Sequence, residues 1–291
     1  MLSAANDFNQ YLHFDPFVKN PAFPEGEGPV VLYDEAHFNH QTITKGRYRG
    51  LADVLANDGY EVRISSSLFS SEVLEGCDIL IISNALNEKN FPWNTRGKNP
   101  PYFSAFTESE INSVHDWVWR GGGLLLLADH WPFGAAAEDL AGRFGVAMSD
   151  GLTIDEYENS YFTRINGKLL DHPVTRGRNE HEKINRIEIF GGQSLLVPEG
   201  SGFLRYSDEA YNIDSHYKNR KDVGGQYAGA GFGWGQGRVV VLAEAGMLCA
   251  TMSDQRRISD PGYYRGMNPE KNDNKKLLLN IVHYLSGLID E

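Results

Sequence analysis

Five short runs along the chain have the length of β-strands, and the first, fourth and fifth are apolar runs of the buried type. They are Pro29–Tyr33, Tyr60–Ile64, Asp78–Ser83, Leu124–Ala128 and Arg238–Ala243. The fourth run is uninterrupted by any polar residue, so both of its faces should be covered, as in a parallel sheet. Together these runs predict a buried, mostly parallel sheet.

Segments of helical periodicity lie between these strands. Apolar residues recur at helical spacing in Arg47–Asn57, and Thr107 with Glu110 forms the pattern of a capping box before a second helix. Gly134–Phe144 is short and rich in alanine, and Asn272–Leu288 carries an apolar face near the end of the chain. Strands alternating with helices predict right-handed crossovers, and hence an α/β fold: a three-layer αβα sandwich around a doubly wound sheet.

The chain contains no internal repeat and no pattern typical of a domain boundary. We therefore predict a single α/β domain over residues 1–291. Residues 1–28 form an irregular N-terminal arm, and residues 150–236 form a less regular insertion packed on the same domain. The glycine-dense run Gly224–Gly237 indicates a mobile surface loop within that insertion.

Composition excludes several classes of function. The 291 residues include 27 Lys and Arg against 39 Asp and Glu, a net charge of −12, which disfavours binding to nucleic acid. No apolar run approaches the roughly 20 residues of a membrane span. Two cysteines without a CxxC pattern imply neither a disulfide framework nor a cysteine zinc site. No leader pattern is visible in the first 30 residues, so we expect a cytoplasmic protein, or a secreted one if a leader has been trimmed.

Polar residues cluster where the predicted strands end. In open parallel sheets, ligands bind beyond the carboxyl ends of the strands. The residues at these positions are Asp34, Glu35, His37, Asn39 and His40 after the first strand, Asn84 after the third, Asp129, His130, Trp131 and Phe133 after the fourth, and Glu244 with Met247 after the last. We expect them to share one edge of the sheet.

The candidate catalytic residues are Glu35, His37, Asp129 and His130. Imidazole and carboxylate ligands suit a divalent metal such as zinc, which would acidify a bound water, and His37, Asp129 and His130 are the candidate ligands. Without a metal, a histidine and a carboxylate can still act as general base and orienting group. The structural alternative is that the acids cap turns and the histidines donate to backbone carbonyls.

A covalent acyl-enzyme mechanism is disfavoured. No Gly-x-Ser-x-Gly or Gly-x-Cys-x-Gly nucleophile elbow occurs, and the corresponding place after the fourth strand reads DHWPFG. The leading hypothesis is a hydrolase that activates water and acts on a carbohydrate or another small polar substrate. The alternative is a non-catalytic domain that uses the same edge to bind a sugar or a partner.

Several stretches resemble a family of uncharacterised bacterial proteins with a class I glutamine amidotransferase-like fold, and more distantly the trehalose-utilisation type proteins. They are residues 29–42, 121–145, 171–178, 190–193, 237–247 and 266–288. The resemblance covers about residues 15–288 and implies a flavodoxin-like sandwich. It does not imply glutaminase activity, because the elbow cysteine is absent.

The resemblance also implies which positions contact a ligand. Besides the residues named above, it adds Gln193 and Asn268, so that the predicted substrate-binding set is Asn39, Phe133, Gln193, Glu244 and Asn268. Gln41 stands where the resembling sequences place a second histidine, and this departure weakens His40 as a site residue.

Overall fold

The structure is a computed structural model that describes residues 14–156, 161–252, 264–267 and 271–290. Its strands are β1 (Val30–Asp34), β2 (Glu61–Ser65), β3 (Ile79–Ser83), β4 (Gly123–Leu127), β5 (Ala147–Met148), β6 (Leu152–Ile154), β7 (Tyr161–Thr163), β8 (Arg186–Glu188), β9 (Leu195–Leu196), β10 (Gly202–Arg205), β11 (Tyr211–Ile213), β12 (Arg220–Asp222), β13 (Tyr227–Trp234), β14 (Gly237–Leu242), β15 (Ala250–Met252) and β16 (Tyr264–Gly266). Its helices are α1 (Arg49–Asn57), α2 (Ser71–Leu74), α3 (Glu108–Trp119), α4 (Phe133–Gly142), α5 (Pro173–Arg176) and α6 (Asn274–Leu285).

A large sheet forms the centre of the molecule. Its first five strands, in the order β2-β1-β3-β4-β14, are all parallel. Strands β13, β9 and β5 continue it in antiparallel pairing, and β10 pairs with β13. The α/β class and the mostly parallel arrangement of the main strands are thus confirmed. The antiparallel extension and the smaller sheets β12-β11-β6, β15-β16 and β7-β8 were not predicted.

Complete burial explains why β3 and β4 could be predicted from the sequence, whereas β2, at the outer side of the sheet, is exposed along most of its length. Every residue of β3 and β4 is buried, so neither face of these strands meets solvent. Helices α1 and α6 pack against each other, as do α2 and α3, and both α3 and α6 contact β14. The predicted capping box is present: Thr107 accepts from the Glu110 backbone N–H, and the Glu110 carboxylate accepts from that of Thr107.

The prediction of a mobile loop at Gly224–Gly237 is wrong for most of that run. Tyr227–Trp234 is strand β13, and its residues 228–231 are buried in the central sheet. Glycine is needed there because side chains from neighbouring elements approach the backbone. A Cβ on Gly231 would lie 3.0 Å from Cε1 of His172, and one on Gly229 would lie 3.0 Å from the ring of Phe203.

In the part of the chain that the structure describes, no helix combines the length and apolar character needed to cross a bilayer.

Candidate functional site

The carboxyl ends of β1 and β3 are joined by side-chain hydrogen bonds. Asn39 donates from Nδ2 to Oδ2 of Asp34 at 2.9 Å and to the carbonyl of Ser83 at 3.2 Å. The backbone N–H of His40 donates to the carbonyl of Asn84. The loops after these two neighbouring strands therefore form one continuous surface, at the place where strand order reverses in this sheet.

His37 lies beneath this surface and is held between two carboxylates. Nδ1 is 2.8 Å from Oδ1 of Asp34, and Nε2 is 2.7 Å from Oε1 of Glu110. Burial alone would lower the pKa of His37, but the two carboxylates outweigh it and the pKa lies above its ordinary value. Both ring nitrogens are thus engaged, and the ring packs against Phe69 and Phe106.

Glu35 stabilises the loop that follows β1. Its Oε1 accepts from the backbone N–H groups of Ile43 and Thr44, at 2.8 and 3.0 Å, and its Oε2 accepts from the Thr44 hydroxyl at 2.6 Å. These bonds give the carboxylate the turn-capping role that the sequence left open as an alternative.

Asp129 connects the ends of three adjacent strands. Following β4, it accepts through Oδ2 from Asn84 Nδ2, at the end of β3, at 2.7 Å. Its Oδ1 accepts at 3.0 Å from the backbone N–H of Ala245, just beyond β14. Asn84 also accepts from the Asp129 backbone N–H at 2.9 Å. Both oxygens of this predicted catalytic carboxylate are therefore engaged within the protein.

Gln193 is fully buried and brings a further carboxyl group to the same edge. Its Nε2 donates to the carbonyls of Ala128 and Asp129, and its Oε1 accepts from the Asp150 backbone N–H. Oδ1 of Asp150 accepts from the backbone N–H of Ala135 in the first turn of α4. Burial raises the pKa of Asp150 to about 7.

Asp150 was missed by the sequence analysis. The local signal is the Asp-Gly pair Asp150-Gly151, a turn pattern that matches the left-handed φ of 49° at Asp150. Nothing in the sequence shows that this turn meets α4. Phe38 and Asn84 at the same edge also have positive φ, at 47° and 46°, and such conformations cluster at functional sites.

His130 belongs to a chain of aromatic contacts that we call the aromatic ridge. Its members are His40, Trp93, His130, Trp131, Phe133 and Tyr217. Ring centroids are 5.5 Å apart for His40 and Trp93, 6.5 Å for Trp93 and His130, and 4.6 Å for His130 and Trp131. Trp131 and Phe133 are buried, whereas Tyr217 is 65% exposed.

His130 keeps one ring nitrogen available. Its Nδ1 lies 2.8 Å from the carbonyl of Trp131 and donates to it. No hydrogen bond among the described residues engages Nε2, and the side chain is partly exposed. Of the four predicted catalytic residues, His130 is thus the one with a side-chain polar atom that has no hydrogen-bond partner among the described residues.

The predicted substrate-binding residues have different surroundings. Phe133 is in the aromatic ridge, and Asn39 is partly buried between the ends of β1 and β3. Glu244 is buried, and its carboxylate accepts from the backbone N–H groups of Gly246 and Met247 at 2.6 and 2.7 Å. Asn268 lies outside the described residues.

The three predicted metal ligands do not come together. Within the described ranges, no group of three or more His, Cys, Asp or Glu side chains is arranged to hold a metal ion. The reason is local: the nitrogens of His37 face Asp34 and Glu110, and the oxygens of Asp129 face Asn84 and Ala245.

The fold and the residues at the carboxyl ends of the parallel strands together define a mixed α/β protein with a cluster of aromatic side chains at those strand ends. No family model matches the chain, and no curated protein matches it. Among solved structures, the mmIFT52 N-terminal domain is similar with a TM-score of 0.58 at 14% identity, covering 88% of this chain and 97% of that domain. At that identity the similarity shows the fold alone.

Weaker structural similarities extend to bacterial proteins. A cytoplasmic protein from Salmonella typhimurium has a TM-score of 0.47 at 14% identity, covering 91% of this chain and 100% of its own. A putative ThuA-like protein from Bacteroides uniformis has a TM-score of 0.45 at 13% identity, covering 92% and 93%.

Proposed function

We propose that this chain is a ligand-binding domain that holds a carbohydrate or another small polar ligand against the aromatic ridge. The observation that carries the proposal is the contact of Trp93 with His40 and His130, at the edge where β1 and β3 end. Aromatic rings with a polar handle, set beside backbone polar groups, are the usual lining of sites for small polar ligands.

The hydrogen bonding of three predicted catalytic residues favours binding over catalysis. Glu35, His37 and Asp129 each have their polar atoms engaged by neighbouring residues. A general base or nucleophile must reach a substrate atom directly or through one water. These three residues shape the edge of the sheet, and the rings above them contact the ligand.

Isothermal titration against a panel of neutral mono- and disaccharides tests this function. We expect Trp93→Ala to weaken the binding of any responding sugar about ten-fold, equivalent to about 1.4 kcal/mol. Trp119→Ala is the matched control, because Trp119 is 56% exposed on α3, away from the ridge residues. If no sugar binds, the carbohydrate assignment fails, and if Trp93→Ala binds a responding sugar as tightly as the parent, the aromatic ridge is not the site.

Hydrolysis is the second candidate, and a specific pair of groups favours it. One group is Nε2 of His130, and the other is the Asp150 carboxyl, whose pKa is about 7. Both residues accept hydrogen bonds from backbone N–H groups at the start of α4. The Phe133 N–H donates to the carbonyl of His130, and the Ala135 N–H donates to Asp150. A carboxyl group that is protonated near neutral pH can donate a proton to a leaving group.

The hydrolase is tested with chromogenic glycosides and esters as substrates. Turnover by Asp150 acting as the acid would fall as pH rises through about 7, and Asp150→Asn would remove that dependence together with most of the rate. Asp139→Asn, an exposed acid on α4, is the control. Activity unchanged in Asp150→Asn, or its absence in the parent, rules out this candidate.

The finer fold class is also a proposal. The parallel order β2-β1-β3-β4-β14 is the order 2-1-3-4-5 of doubly wound flavodoxin-like sheets, which supports a three-layer sandwich of the class I glutamine amidotransferase-like kind.

A further inference from the structure

A cleft separate from the aromatic ridge lies near the start of β2, at the amino-terminal ends of the parallel strands. Its wall includes Asp58, directly after α1 and shortly before β2 begins, and His283, near the end of α6. The cleft has a volume of about 580 Å³, within the range of ordinary small-molecule sites. It shares no residue with the ridge.

The floor of the cleft carries two buried polar atoms without a partner. Asn280 is fully buried and His283 is 1% exposed, yet neither Oδ1 of Asn280 nor Nδ1 of His283 makes a hydrogen bond. The other polar atom of each side chain is held by hydrogen bonds. Asn280 donates from Nδ2 to the carbonyls of Val174 and Glu182, and Nε2 of His283 lies 2.7 Å from Oδ2 of Asp58.

These bonds determine what the floor offers to a ligand. Because Nε2 of His283 donates to Asp58, the neutral ring presents a lone pair at Nδ1. Oδ1 of Asn280 is also an acceptor, and the two residues are three positions apart on one face of α6. Oε2 of Glu182 lies 4.0 Å from Nδ1 of His283 and adds negative charge. In that form of the ring, the two floor atoms without a partner are both acceptors, and leaving buried acceptors unsatisfied is costly.

The outer part of the cleft has the opposite character. Lys19, His181 and Lys276 line it, and Lys19 is exposed, with no hydrogen bond or ion pair to any described residue. Lys276 pairs with Asp273 at 3.0 Å. Arg178 binds the Glu182 carboxylate with Nε and Nη2, at 3.0 and 2.7 Å from Oε1, which holds the wall in place.

We propose that this cleft binds a small zwitterion: a primary ammonium group with an anionic group attached, as in an amino acid. An ammonium group supplies three donors from one compact centre and matches the unpartnered acceptors of Asn280 and His283, beside the negative charge of Glu182. The anionic group of the ligand then lies beside the ammonium groups of Lys19 and Lys276 at the mouth. A simple cation would be repelled there, and a simple anion would leave the floor unsatisfied.

The test follows the imidazole resonances of the full chain labelled with ¹⁵N-histidine during titration. The probes are glycine, 4-aminobutyrate and 6-aminohexanoate, compared with butylamine and butyrate. We expect at least one zwitterion to shift the His283 Nδ1 signal and to bind at least five-fold more tightly than either single-charge probe. Equal binding of butylamine or butyrate would overturn the zwitterion assignment. A lack of response to all five probes would overturn the proposal, because solvent alone would then satisfy the two buried acceptors.

Two variants locate the binding. Lys19→Ala should weaken zwitterion binding about three-fold or more and leave butylamine unchanged, whereas Lys45→Ala, an exposed lysine in the loop after β1, should change neither. Leu279→Phe narrows the cleft from a partly exposed position and should weaken every probe that binds there. If zwitterion affinity survives both Lys19→Ala and Leu279→Phe, the site lies elsewhere and the proposal is wrong.

Discussion

The imidazole of His37 shows how a candidate site residue can have a structural role. It connects Asp34 at the end of β1 to Glu110 in the first turn of α3, two positions that are 76 residues apart in the sequence. Burial alone would raise the pKa of Glu110, but hydrogen bonds from Thr107 and His37 lower it below its ordinary value. The three groups form a buried ion cluster whose removal leaves charges uncompensated.

Replacing His37 tests this cluster. His37→Ala should lower the free energy of unfolding by about 3 kcal/mol at pH 6, as expected when one partner of a buried ion pair is removed. His216→Ala, at an exposed histidine between β11 and β12, should change it by less than about 0.5 kcal/mol. Urea unfolding of both variants measures the difference. Equal values would show that the cluster adds no stability.

The same cluster determines a pH dependence. Because the pKa of His37 is raised, its contribution is fully present below pH 6.5 and is lost as pH rises through the higher folded value. Because the pKa of Glu110 is lowered, its contribution is present above pH 4.5 and is lost as pH falls through the lower folded value. The stability difference between the parent and His37→Ala should therefore shrink toward alkaline pH, and a difference that grows there would contradict the assignment.

At the scale of elements, α4 is positioned through its first turn. A Cβ on Gly134 would lie 2.6 Å from Oε1 of Gln193, a fully buried side chain that is fixed by bonds to Ala128, Asp129 and Asp150. The amide cannot move aside without breaking these bonds. A glycine at this position is therefore what lets the helix approach the ends of the strands.

A pair of glycine substitutions in α4 tests this close approach. Gly134→Ala should cost about 1–3 kcal/mol, because overpacking displaces Gln193. Gly142→Ala, at the other end of the helix, meets no atom within 4 Å and should stabilise the protein by about 0.5 kcal/mol. Thermal unfolding separates the two. Similar shifts for both would mean that Gln193 does not restrict the helix.

For the molecule as a whole, the parallel strands could be predicted from the sequence to within about one residue at each end. The apolar runs of β3 and β4 are fully buried and leave no competing pattern. The prediction failed at β13, because its glycines indicate flexibility locally and their reason, the approach of His172 and Phe203, lies in distant segments. The site was predictable to a similar degree. The ends of the predicted strands identified Asp129 and His130 as neighbours of the site. The partners that hydrogen-bond Asp129 and His37 lie in other elements, so a local pattern could not reveal them.

The net charge of −12 leads to a prediction for the whole molecule. We expect no retardation of duplex DNA at 0.15 M salt with protein at 100 µM, since non-specific binding depends on cationic contacts to phosphate. An electrophoretic mobility assay, with a basic protein of similar size as positive control, measures this. A dissociation constant of about 10 µM or lower would contradict the prediction.

The carboxylate of Asp129 has a consequence for how recognition responds to its surroundings. The carboxylate already accepts hydrogen bonds from Asn84 and Ala245. A ligand could therefore bind to it only by breaking these bonds, which connect the ends of β3 and β14. Affinity at the aromatic ridge should then owe little to full charges, which salt screens strongly, and more to ring contact. A sugar held this way would bind almost equally well in dilute buffer and in 0.5 M sodium chloride.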